Sequence, residues 1–199
     1  MANINSEIKF NIELDENRVP EKTLPYPWES CIPAGGGWSY SPGATYMTGR
    51  QGIHMLVDIV AKGGNLLLNV APSPEGEWQQ GAYDLLAAYG DWMKVNSTAI
   101  YETKPIEPFK EDNICFTQNK AGNVFAFYLA KDGEDKIPAT VTVKSISPKK
   151  GTKITMLGSK TSLKWTKEGN GFKVVIPESL RNNLPAKEAW TLKIEAINR

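Results

Sequence analysis

The stretch Lys62–Pro74, K-G-G-N-L-L-L-N-V-A-P-S-P, constrains this chain more than any other. Leu66-Leu67-Leu68-Asn69-Val70 is apolar at both alternating positions, so it predicts a strand buried on both faces. Such strands belong to parallel sheets or barrels covered by helices. Gly63-Gly64 frees the backbone before it, and Pro72, Pro74 and Gly76 turn the chain after it. Helical periodicity flanks it, over Arg50–Ala61 and over Glu77–Val95. Helix, buried strand, helix is a unit of β/α architecture, and in a barrel of that kind the loop after the strand lies at the face that builds active sites.

Around this unit the chain divides by composition. Glu7–Leu14 alternates charged and apolar groups and predicts a half-exposed strand, with Asp15–Arg18 as a polar turn. Residues 26–46 concentrate tryptophan, tyrosine, proline and glycine without a period, which predicts a long, functional loop. Thr48 is placed to cap the first helix, and Asn96-Ser97 to end the second. Ile100–Pro108 reads as a linker or an edge segment. From Asn113 short β-type runs follow: 114–118, 123–130, 139–145, 153–157, 162–166, 172–177 and 190–196, with a hairpin turn at Glu168–Gly171. They predict an antiparallel β-sandwich. The expected fold is therefore α/β plus all-β: an incomplete end of a (β/α)8-type barrel over residues 1–106, then a sandwich over 107–199. An eight-unit barrel needs about 250 residues, far more than stand before the sandwich.

A net charge of +1 gives no global field for nucleic acid or an anionic membrane. No window has the run of 18 apolar residues that a membrane span needs, and residues 1–20 show no signal-peptide pattern. Cys31 and Cys115 fit neither a disulfide framework nor zinc-ligand spacing, and read as free or buried thiols. Gly35-Gly36-Gly37 and Gly63-Gly64 lack the spacing and lysine of a phosphate loop. The lone histidine, His54, sits on the first helix and reads as structural; Asp58 reads as a solvated charge. Asn69 and Ser73 either bind a ligand or tie down the loop.

Glu16 and Glu29 stand among the aromatics of the front region, with Trp28, Trp38 and Tyr40. Carboxyl groups beside aromatic rings suit sugar cleavage, where one acid must stay protonated in a partly apolar setting. On composition alone the same carboxylates read as solvated loop charges and the rings as loop anchors.

Four motifs in order decide between these readings: P-W-E-S-C at 27–31, G-W-S-Y at 37–40, L-V-D-I-V-A-K-G-G-N-L-L-L-N-V-A-P-S-P-E-G at 56–76 and W-M-K-V-N-S-T-A-I-Y-E-T-K-P at 92–105. Together they resemble the α-L-fucosidases of glycoside hydrolase family 29. The resemblance implies a retaining exo-glycosidase acting on terminal α-L-fucose of glycans, without cofactor or metal. It implies Glu16 as acid/base, by similarity of D-E-N-R-V-P to a T-P-E-Q-x-I-P stretch of the family, with Glu29 of the W-E pair as the alternative. It implies Trp38 as a contact to the fucose ring, in an aromatic surround that includes Trp28 and Tyr40. No stretch matches the family's W-F-D-type nucleophile strand, so the chain is expected to be a C-terminal portion, inactive alone. Its partners would be fucosylated glycans and the missing barrel half, or a second copy met through the exposed barrel edge. The family's usual setting is secreted, periplasmic or lysosomal. The competing readings are a non-catalytic carbohydrate-binding or structural β-sandwich module and a small unrelated α/β hydrolase; the latter lacks a serine nucleophile elbow.

Overall fold

The computed structural model describes residues 13–198, with side chains from Asn17 onward. Of the strand expected at Glu7–Leu14, residues 7–12 lie outside the described residues. The chain runs β1 (Glu13–Glu16), β2 (Trp28–Pro33), α1 (Gly49–Ala61), β3 (Gly64–Asn69), α2 (Gln80–Ile100), β4 (Thr103–Glu111), β5 (Ile114–Asn119), β6 (Val124–Leu129), β7 (Thr140–Val143), β8 (Ile154–Met156), β9 (Lys164–Glu168), β10 (Gly171–Val175), α3 (Glu178–Arg181) and β11 (Ala189–Ile194).

The front sheet is parallel, in the order β1-β2-β3. Among the described residues it does not close into a barrel. Asp15-Glu16 belongs to a strand, not to a turn; the turn begins at Asn17, whose φ of 54° is one that short polar side chains tolerate. β2 also takes residues 28–33 out of the expected aperiodic loop, which begins only after Pro33. Its W-E-S-C-I-P pattern is disguised because the face toward the helices is filled by Trp28 and Ser30. Ser30 is buried only because its hydroxyl donates to the Arg18 carbonyl at 2.6 Å.

β3 is parallel as expected but is not buried on both faces. It is an edge strand, and Leu67 remains 48% exposed. The helices cover one face of the front sheet, and no described element covers the face that carries Leu67.

α1 starts at a capping box. Gln51 N–H donates to Thr48 Oγ1 at 3.2 Å and Thr48 N–H to Gln51 Oε1 at 2.9 Å. Gly63, at φ 85°, carries the chain out of the helix into β3. α2 runs past its expected end at Asn96-Ser97, to Ile100. Asn96 does not cap it: the side chain is buried and donates to the Trp92 carbonyl one turn back, at 3.0 Å. Ile100–Pro108 resolves as the edge alternative, since most of it lies in β4 on the rim of an antiparallel sheet ordered β4-β5-β6-β11-β8. A second antiparallel sheet, β7-β10-β9, packs on that one.

The five-stranded sheet serves two cores. Ile114, Phe116, Val124, Ala126, Tyr128, Trp190 and Leu192 face the second sheet. Cys115, Phe125, Phe127, Leu129 and Ala189 face the helices, where they meet Ile53, Val57 and Ala61 of α1 and Trp92, Ala99 and Ile100 of α2. Burying a ring such as Phe127 is worth about 1.5–3 kcal/mol, so this helix–sheet contact fixes the front region on the sandwich. Trp92 anchors it further, its indole N–H donating to the Ala189 carbonyl at 2.9 Å.

Candidate functional site

In a parallel sheet all strand ends point one way, so the exits of β1, β2 and β3 gather on one rim. Register places Glu16 opposite Cys31, and Glu29 opposite Leu14 on one side and Asn65 on the other. Glu16 and Glu29 are thus diagonal neighbours on adjacent strands. One strand spacing across and two residues along separate their backbones by about 8 Å. Glu29 is half-buried.

Alternation along β2 divides the W-E pair. Trp28 points to the helices and Glu29 to the opposite, uncovered face. Trp28 is 1% exposed, and its indole N–H reaches the Lys62 carbonyl at 3.4 Å. Its ring fills the space beside Gly64, where a Cβ would come within 2.4 Å of it. The geometry therefore separates Trp28 from the other aromatic candidates. It packs β2 against β3 and the end of α1, and holds the strand that carries Glu29.

The other aromatics stand on the rim. Trp38 is 41% exposed and Tyr40 is half-buried, both in the loop that leaves β2. Asn69, at the end of β3, donates through Nδ2 to the Trp38 carbonyl at 3.1 Å. Gln79 holds the same loop from the other side: its amide nitrogen donates to the Ser41 carbonyl and its oxygen accepts from Gly43 N–H, both at 2.9 Å. Ser73 closes the turn after β3, accepting from the N–H groups of Glu75 and Glu77 at 3.3 Å. Asn69 and Ser73 thus tie down loops. The aromatic density of residues 26–46 marks the rim, and the position of Asn69 at the strand end offers it as a loop tie; nothing in the sequence marks the tie from Gln79.

The remaining charged candidates are structural. His54 Nε2 donates to the Glu188 carbonyl at 2.8 Å, and burial holds the imidazole pKa below its ordinary value. One turn earlier, Arg50 reaches the Glu188 carboxylate at 2.7 Å and the carbonyls of Lys131 and Glu134 at 2.9 Å. Asp58 is not a solvated charge: it lies between Lys62 at 2.5 Å and Lys110 at 3.3 Å, so α1 is stitched to β4. Cys31 and Cys115 are both free thiols, and burial pushes Cys115 up to about 12. Among the described residues no group of three or more His, Cys, Asp or Glu side chains could hold a metal ion, and no helix is long and apolar enough to cross a membrane.

A parallel β/α sheet with exposed aromatics on its rim, joined to an antiparallel sandwich, is the arrangement of a barrel end followed by a C-terminal sandwich domain. Known proteins agree. Residues 2–98 match the family described as "Alpha-L-fucosidase", and residues 107–195 match "Alpha-L-fucosidase C-terminal domain". The tissue α-L-fucosidase of Mus musculus is 32% identical over 191 residues, which are 92% of this chain and 41% of that protein. The α-L-fucosidase of Branchiostoma floridae is 32% identical over 178 residues, covering 85% of this chain and 38% of its own length. Among solved structures, α-L-fucosidase isoenzyme 1 from Paenibacillus thiaminolyticus superposes with a TM-score of 0.77 at 24% identity, over 94% of this chain and 45% of that one. A Thermotoga maritima α-fucosidase, solved with a mechanism-based inhibitor, gives 0.78 at 22% identity, over 92% and 42%. The chain belongs to the α-L-fucosidase family and corresponds to its C-terminal portion. It spans about 40% of the length of the curated relatives it matches.

Proposed function

We propose that this chain is part of a retaining exo-α-L-fucosidase that releases terminal α-L-fucose from fucosylated glycans. The observation that carries the proposal is the parallel register of β1, β2 and β3, which sets Glu16 and Glu29 on adjacent strands below a rim bearing Trp38 and Tyr40. We assign residues 1–106 to the catalytic barrel and 107–199 to the sandwich; the division falls within β4, a strand that would join the two domains without a free linker.

In a retaining glycosidase a carboxylate attacks the anomeric carbon while a carboxylic acid protonates the departing glycosidic oxygen. The conjugate base of that acid then takes a proton from the water that hydrolyses the glycosyl-enzyme. Glu16 is proposed as the acid/base, with Glu29 as the alternative. Trp38 and Tyr40 present ring surface to the C–H face of the sugar. Trp28 acts at one remove, by holding β2. The nucleophile is assigned to barrel residues outside this sequence, and those residues are the partner that would cover the open face and edge of β3. A second copy of the chain is the other occupant of that edge.

The test is hydrolysis of an aryl α-L-fucoside by the 199-residue chain, with L-fucose binding measured alongside. The expected result is saturable binding, weakened by Trp38→Ala, with no turnover. Turnover at the rate of a full-length enzyme would show that the chain holds its own nucleophile. Binding confined to residues 107–199 would make it a carbohydrate-binding module instead.

A further inference from the structure

The loop leaving β3 carries a second aromatic group that the proposed fucose contacts do not use. Trp78 and Tyr83 lie with ring centroids 5.7 Å apart, tilted by 55°, and are 39% and 43% exposed. Two large rings left in water need a reason, since collapse onto a neighbour would hide them. Here the two rings pack on each other beside an ordered turn. The turn below them is closed by Ser73 N–H to the Glu77 carbonyl at 2.8 Å and Gly76 N–H to the Ser73 carbonyl at 2.9 Å, besides the two bonds to the Ser73 hydroxyl. Tyr83 is oriented by its own hydroxyl, which donates to Glu77 Oε2 at 3.3 Å. Trp78 immediately precedes Gln79, the residue that grips the loop of Trp38 and Tyr40.

That grip limits the separation. Trp78 is one residue from Gln79, and Trp38 is three residues from Ser41, so the Cα atoms of the two tryptophans lie no more than about 25 Å apart. A short oligosaccharide can bridge such a distance, and both rings belong to loops on the same rim. The chemistry of the pair is specific. Tilted ring faces form an angled bay for the C–H surface of a pyranose, and the carboxylate of Glu77 accepts hydrogen bonds from hydroxyl groups. Glu75 and Glu77 in the same turn, with Asp84 in the second turn of α2, gather negative charge here, which disfavours sulfated or sialylated rings.

We propose that Trp78 and Tyr83, with Glu77, form a stacking surface for a neutral pyranose on the leaving-group side of fucose, so that this loop selects which fucosylated glycans are bound. The assignment rests on the fucoside site proposed above.

The experiment titrates the ¹⁵N-labelled 199-residue chain with L-fucose, α-L-fucosyl-(1→2)-D-galactose and lactose, following tryptophan indole N–H resonances and affinity in the wild type and in Trp78→Ala and Tyr83→Ala. Lactose and the disaccharide should both move the Trp78 indole resonance. The disaccharide should bind more tightly than L-fucose by about fivefold, the worth of one stacked ring. Trp78→Ala should abolish that advantage and leave L-fucose affinity unchanged. An unmoved Trp78 resonance with both galactose-containing sugars overturns the stacking surface, whatever L-fucose does. So does an unchanged advantage in Trp78→Ala. Lactose shifts without any L-fucose binding would instead remove the fucose site and leave the stacking surface standing.

Discussion

β6 and β3 are six-residue strands, V-F-A-F-Y-L in one and a run of three leucines between asparagines in the other, and the fold covers their apolar side chains differently. Every residue of β6 is buried: Phe125, Phe127 and Leu129 lie against the helices, and Val124, Ala126 and Tyr128 against the second sheet. β3 packs one face under α1 and leaves Leu67 in water. An apolar strand reports how much surface it can bury, and its neighbours decide how much it does. The antiparallel region supplies both covers from this chain. The parallel region supplies one, although parallel sheets are ordinarily covered on both faces.

Truncation should show the difference most plainly. Phe127→Ala opens a cavity between sheet and helices and should cost about 3–5 kcal/mol in urea unfolding. Leu67→Ala, on the uncovered face, should change stability by no more than about 0.5 kcal/mol. Equal losses at the two positions would mean that Leu67 is covered in solution, and light scattering would then show whether by a second copy.

A smaller effect tests the covered face of the parallel sheet. Gly64→Ala forces a methyl group into the Trp28 ring. Overpacking of this kind costs about 1–3 kcal/mol, and the Trp28 indole resonance should shift with it. A neutral substitution would show that Trp28 moves freely, and the ring could then not be what fixes Glu29.

Between the two regions stands the Arg50–Glu188 pair, each side chain about a quarter exposed. Glu188→Gln keeps a hydrogen-bond acceptor and removes the charge, and should cost about 1 kcal/mol. A loss confined to a separate first unfolding step would show that the helices leave the five-stranded sheet before the sandwich melts.

How legible all this was in the residues follows the same line. The antiparallel strands announce themselves, because Phe125/Phe127/Leu129 and Phe172/Val174/Ile176 alternate and Gly169-Asn170 turns the chain. Their alternation did not reveal that the second face of β6 meets helices and not water. β3 is marked by its run of leucines, while β2 is hidden: Glu29 and Ser30 break the apolar pattern, and Ser30 is tolerated inside only through the Arg18 carbonyl, a tertiary contact. The ends of the elements failed for the same reason. Asn96 looks like a cap until its amide is seen bonded back to Trp92 inside the core. At the site, residue type and order single out Glu16, Glu29, Trp38 and Tyr40 as candidates, whereas the inward turn of Trp28 requires the register of β2 on β3.

The smallest effect, and the most specific to the joint between the regions, concerns His54. Its imidazole is half-buried between α1 and the segment before β11, with Arg50 and Lys110 as nearby cations and Glu188 offering both a carbonyl and a carboxylate. Burial lowers its pKa first; the Glu188 hydrogen bond opposes that, and the two cations add to it. A histidine whose folded pKa lies below the unfolded value of 6.5 binds fewer protons folded than unfolded. Stability from this group is therefore complete above pH 6.5, is lost as pH falls toward the folded pKa, and is flat below it. His54→Gln retains an amide donor for the Glu188 carbonyl and has no proton to gain. The difference in unfolding free energy between wild type and His54→Gln should shrink from pH 8 to pH 5, with a slope below that of one proton. Taking the difference cancels the carboxylates that titrate in both proteins. A flat difference would mean that water reaches the imidazole, and that the helices ride on the sandwich through Trp92 and Phe127 without help from this polar seam.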